Sequence, residues 1–158
     1  GVVTTKFNGM PTSATEVTLQ ADGKIVTLGT IKVNDSQSSK IITRYNSNGT
    51  VDNTFGVNGN TLIDVNSFTG SKIALQPDGK LIVASYANNG TNQDFVVVRY
   101  NSNGSLDIGF SEDGWVMTDF AEADDIGLAV VLQTDGEIVV AGSAFNGLDF
   151  DFALVRYK

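Results

Sequence analysis

The chain contains no cysteine and no histidine. Without cysteine there is no disulfide, no thiolate nucleophile and no thiol ligand for a metal. Without histidine the commonest general base, the usual zinc ligand and the usual switch near neutral pH are all missing. Charge is also scarce, at 18% of 158 residues against about 25% in an ordinary globular protein. The charge present is lopsided, with 18 acids to 10 bases, a net charge of −8 and a pI of about 4.3. That balance repels phosphate backbones and argues against a nucleic-acid partner. No run approaches the roughly 18 apolar residues of a membrane-spanning helix. Gly, Ser, Thr and Asn take the place of charge, a composition that fits an extracellular or cell-surface protein. The chain opens on Gly1 rather than Met, which fits a removed leader or a segment of something longer. Its length predicts one domain with its own core.

Self-similarity organises what remains. The string Leu-Gln-x-Asp-Gly-[Lys/Glu] begins at Leu19, Leu75 and Leu132, and Arg-Tyr occurs at Arg44, Arg99 and Arg156. Asn-Ser-Asn-Gly begins at Asn46 and Asn101, each time followed by an Asp (Asp52, Asp107) and a Phe (Phe55, Phe110). A Gly-led strand-like run opens each copy, at Gly1, Gly59 and Gly114. The chain therefore reads as a single repeat domain, 1–158, of three units, 1–58, 59–113 and 114–158. Each unit predicts four short strands. The Asp-Gly pairs supply hairpin turns between the second and third strands. The third strands, Ile25–Leu28, Leu81–Ala84 and Ile138–Ala141, are nearly all apolar, as in a strand covered on both faces. No segment carries convincing helical periodicity.

Together, LQxDGK, the Val-rich strand into RYN and the NGSLDxxFG tail resemble the bacterial delta-60 repeat over essentially the whole chain, in three copies. That resemblance implies propeller-blade-like repeats of secreted or surface proteins and no established enzyme activity. The fold expected is all-β: three tandem four-stranded antiparallel blade-like repeats, propeller-like. The alternative is a self-closed pseudo-threefold trefoil or prism. The third copy departs from the pattern with Glu137 in place of Lys, and the first carries Ser39 where the others have Asp94 and Asp151. Propellers need at least four blades. Three blades leave two faces to be covered, and a second copy of the chain is the favoured cover. Unit one has five bases to four acids, unit two three to six and unit three two to eight, a polarity suited to head-to-tail contact.

The only three arginines occupy one repeat position. Arg44, Arg99 and Arg156 are candidate ligands for an anion, which a guanidinium grips bidentately. The competing reading makes them braces, paired with Asp52 and Asp107 downstream, with Arg156 drawing an acid from elsewhere, a second copy included. Trp115 and Phe150 are candidate exposed platforms for carbohydrate. Asn46, Asn48 and Asp52, and likewise Asn101, Asn103 and Asp107, have the alternating oxygens of a weak calcium loop, although the same spacing suits Asx turns. The acidic clusters Glu122–Asp125 and Asp149–Asp151 are weaker calcium candidates. Apart from calcium no cofactor is expected. Nothing pairs a nucleophile with a base, so no enzyme activity is expected. The function expected is that of an extracellular structural or adhesin-like protein whose repeats self-assemble into a ring or filament. Carbohydrate or anionic-polymer binding is the alternative, and no membrane span or nucleic-acid partner is expected.

Overall fold

A computed structural model of the chain describes residues 1–7, 9–34, 38–65 and 68–158. Among them are eleven strands and no helix: β1 (Thr12–Leu19), β2 (Ile25–Lys32), β3 (Ser38–Tyr45), β4 (Asn60–Ile63), β5 (Thr69–Leu75), β6 (Leu81–Asn88), β7 (Gln93–Tyr100), β8 (Trp115–Thr118), β9 (Asp125–Leu132), β10 (Ile138–Phe145) and β11 (Phe150–Tyr157). They form three antiparallel sheets in simple meander order, β1-β2-β3-β4, β5-β6-β7-β8 and β9-β10-β11. This is the all-β, blade-like architecture the repeats predict.

Each Leu-Gln-x-Asp-Gly turn closes in the same way. Gly23, Gly79 and Gly136 take φ of 80°, 85° and 90°, where an L side chain is strained. The Asp before each of them accepts the amide of the residue after it, at 3.1 Å in all three copies. Each hairpin so formed carries a bulge, at Ala14/Glu16, Thr69/Lys72 and Ala141/Gly142, which adds local twist.

The phase of the units differs from the sequence reading. The Gly-led runs at 60–63 and 115–118 do not open the sheets that follow them. They pair with β3 and β7 and close the preceding sheets as β4 and β8. The period is unchanged, because a cyclic permutation of a repeat leaves its spacing intact. The first Gly-led run, Gly1–Thr5, lies in no strand, and the third sheet has three strands where the others have four.

The sheets stack face to face around two apolar clusters. Between sheets one and two lie Val26, Leu28 and Ile42 against Leu81, Val83, Val96 and Val98. Between sheets two and three lie Ile82, Ala84 and Val97 against Ile138, Val140, Ala153 and Val155. Among the described residues neither cluster joins the first sheet to the third, so the chain is not self-closed as a trefoil or prism. The middle sheet is therefore dry on both sides: Leu81, Ile82 and Val83 are all fully buried. Each such side chain contributes roughly 1.5–3 kcal/mol by leaving water.

Candidate functional site

The three arginines sit on equivalent strands and the tails after them fold back. Arg44 on β3 donates from Nε to Asp52 Oδ2 at 2.8 Å, from Nη2 to Thr54 Oγ1 at 3.2 Å, and from Nη1 to the Ser102 carbonyl of the next repeat at 2.6 Å. Its guanidinium lies 4.7 Å from the centre of the Phe55 ring. Arg99 on β7 repeats the arrangement, with Asp107 Oδ2 at 2.7 Å and the Phe110 ring at 4.6 Å. Lys24 and Lys80 approach the same two carboxylates at 3.2 Å and 2.9 Å. The Arg, Lys, Asp and Phe of the repeated motifs are thus one structural unit. A charge held between apolar strands needs its donors met; Arg44 has partners at Nε, Nη1 and Nη2, and Arg99 has Asp107 at Nε. Thr54, followed by Lys24 and Arg44, holds the Asp52 carboxyl far below the usual range despite its burial. Asp107 is lowered chiefly by Lys80, then by Arg99.

The third copy solves the same problem differently. Arg156 Nε lies 2.8 Å from Glu137 Oε2, so the acid comes from its own chain and not from a second one. Glu137 stands where the other copies have Lys24 and Lys80. Glu137 thus supplies to Arg156 the counter-charge that Asp52 and Asp107 supply to Arg44 and Arg99. This corrects the anion-site reading at Arg44 and Arg99, whose guanidiniums are engaged by protein acceptors. Arg156 is the most exposed of the three, its side chain 58% accessible.

The Asn loops correct the calcium reading of Asn46, Asn48, Asp52, Asn101, Asn103 and Asp107. Asn48 Oδ1 accepts the amide and hydroxyl of Thr50, and Asn103 Oδ1 accepts those of Ser105. Asn46 and Asn101 donate to the same two hydroxyls. Asp52 and Asp107 are turned to their cations. These oxygens close Asx turns.

Trp115 is half-buried and packs against the cluster between sheets one and two, so it offers no open platform. Phe150 is half-exposed and packs on Phe145 with ring centres 5.2 Å apart. The most exposed aromatic is Phe152, at 102% relative accessibility, on the outer face of the third sheet.

Acids do converge at a place the sequence reading only touched. Asp94 at the start of β7, Asp119 just after β8 and Asp125 at the start of β9 bring carboxylate oxygens within 4.8 Å of one another. Only Asp125 belongs to a cluster adjacent in sequence, and the other two arrive from different strands. The available signal was the Ser39/Asp94 difference between copies, which marks the second joint as chemically unlike the first.

The family described as a domain of unknown function (DUF5122) β-propeller matches residues 20–55, 76–110 and 133–158. The chain belongs to the DUF5122 β-propeller family. Its three matched segments each run from an Asp-Gly hairpin through the strand that ends in Arg-Tyr. In the first two copies they end on the Phe that packs under the arginine. Comparison with curated proteins and with solved structures gives no match.

Proposed function

We propose that this chain is a non-enzymatic, extracellular interaction protein whose sheets stack head to tail on those of a second copy, completing a propeller-like ring. The observation that carries the reading is the contrast between Phe95 and Phe152. They occupy the same repeat position, yet Phe95 is fully buried and Phe152 fully exposed. Phe95 faces sheet three and meets Phe120 edge-on, ring centres 5.2 Å apart. Phe152, with Leu154 two residues on along the same face of β11, is left in water.

The free faces are mates by the chain's own logic. Every internal joint sets the Val26/Ile82 face of one sheet on the Leu81/Ile138 face of the next. The third sheet leaves the first kind of face open at Phe152 and Leu154, and the first sheet leaves Val17, Leu19 and Leu62 of the second kind exposed beside the buried Ile31 and Ile41. Phe7 occupies the repeat position of Phe120, so stacking a second copy in the same register places its Phe7 against Phe152. It also sets its Lys6 near Asp151, where the chain's own second joint has Asp119 near Asp94. Gly1–Thr5 then lies where β4 and β8 lie, along the edge strand β11, which lacks a fourth partner. Surface location is supported by the low-charge, cysteine-free composition and by the likeness to delta-60 repeats.

Light scattering on the purified chain tests this. A closed ring of two copies weighs twice the 16.7 kDa of one chain, and an open stack gives larger, concentration-dependent masses. Phe152→Asp and Phe7→Asp should each return the protein to monomer. A wild-type monomer at high concentration overturns the reading.

A further inference from the structure

The joint between sheets two and three holds charges that the fold itself does not satisfy. Asp94 is 2% exposed and Asp125 fully buried, and each has one oxygen, Oδ1, without a hydrogen-bond partner. Their other oxygens are fixed: Asn89 Nδ2 donates to Asp94 Oδ2 at 2.7 Å, and the Phe120 amide donates to Asp125 Oδ2 at 2.7 Å. Asp119 is exposed, and its Oδ1 accepts the amides of Ala121 and Glu122, at 2.9 Å and 2.6 Å, so it too is held in place by its loop. Asp124 stands close by, accepting the Gln93 amide at 3.0 Å. An unpaired oxygen buried in a protein is costly, and two of them in one acidic pocket are costlier. Burial, then repulsion from Asp119 and Asp124, raises Asp94 above the usual carboxylate range, and Asp125 is raised the same way, with Asp94 as a further repelling neighbour. None of the seven Lys or three Arg side chains forms an ion pair with these acids among the described residues.

We propose that Asp94, Asp119 and Asp125 bind a calcium ion that ties sheet two to sheet three. The donor set is all oxygen, which suits a hard cation and excludes a soft one. The span of up to 4.8 Å between donor atoms matches opposite ligands around an ion with bonds of about 2.3–2.6 Å. Ligands from two strand starts and one loop, completed by water, favour calcium over magnesium, which demands a tighter octahedron. The site is private to this joint. The equivalents of Asp94 and Asp119 at the first joint are Ser39 and Asp64, which leaves one acid of that pair.

The test uses the whole chain, stripped of metal with a chelator, followed by calorimetric titration and thermal unfolding with calcium chloride and separately with magnesium chloride. Calcium at about one hundred times its dissociation constant should raise Tm by roughly 5–10 °C, and magnesium should raise it less. Asp94→Asn and Asp125→Asn should weaken calcium binding at least about tenfold, and should raise the Tm of the metal-free protein by removing like charge. Asp119→Asn, at an exposed position that does not threaten folding, should also weaken binding, and Asp113→Asn, at a distant exposed acid, should not. A wild-type Tm that ignores calcium, a response to magnesium alone, or calcium binding that survives Asp94→Asn and Asp119→Asn overturns the proposal. In the first of these cases the pocket is instead a pair of carboxyls sharing a proton.

Discussion

The arginine braces show how one residue type takes its role from its surroundings. Arg44 is buried and makes three directional hydrogen bonds at once, which a lysine ammonium cannot reproduce in that planar arrangement. Arg44→Lys should therefore cost about 2 kcal/mol in urea unfolding. Arg156→Lys, at an exposed ion pair, should cost less than about 0.5 kcal/mol. Acid should remove only the share of the first difference that comes from Asp52, leaving the bonds to Thr54 and Ser102. The depressed pKa of Asp52 means that its brace contributes fully above the unfolded carboxylate range, near pH 4, and is lost as pH falls through the folded value. The gap between wild type and Arg44→Lys should accordingly be widest at neutral pH and narrow as pH falls below 4 toward the folded value. Unfolding curves across pH 2–7 check it, and a gap that does not narrow toward the acid end rules out the ion pair as a contributor.

Among elements, the bulged hairpins set how closely strands approach. At Gly142 an added Cβ would sit 1.9 Å from the Ile126 carbonyl oxygen and 2.7 Å from the Phe95 ring. The first is backbone and cannot step aside, so Gly142→Ala should cost about 2–3 kcal/mol, read from the urea midpoint. A neutral result would mean that the bulge relaxes. Much of this level was legible beforehand. The Asp-Gly turns, the apolar strands after them and the Val-rich strands into Arg-Tyr all stand where the motifs placed them, because turn chemistry and period-two patterning are local. The phase of the fourth strand was not legible, since Gly59 and Gly114 look the same whether a run opens one sheet or closes another. The acid cluster was hidden for a related reason. Asp94 and Asp119 meet through the pairing of β7 with β8, and Asp125 joins them only through the stacking of sheet three on sheet two; no spacing within one strand encodes either. Likewise the Asn loops promised metal by spacing alone, while their oxygens were already committed to their own amides and hydroxyls.

For the molecule as a whole, stability and assembly are coupled. If Phe152 and Leu154 are covered by a second copy, folding and association share one equilibrium. Tm should then climb by a few degrees over about a hundredfold rise in protein concentration. Phe152→Asp should flatten that dependence while leaving the internal joints intact, because residue 152 lies outside both apolar clusters. A wild-type Tm independent of concentration counts against the coupling. The stacking also has a bearing on inheritance. Each sheet offers one kind of face forward and the other kind back, so every joint is made by the same two surfaces. Unequal recombination that gains or drops one whole period of the gene replaces a joint with another of the same make, and no new interface has to be invented. Descent can therefore alter this chain in whole repeats, while a private feature such as the acid pocket records which copy is which.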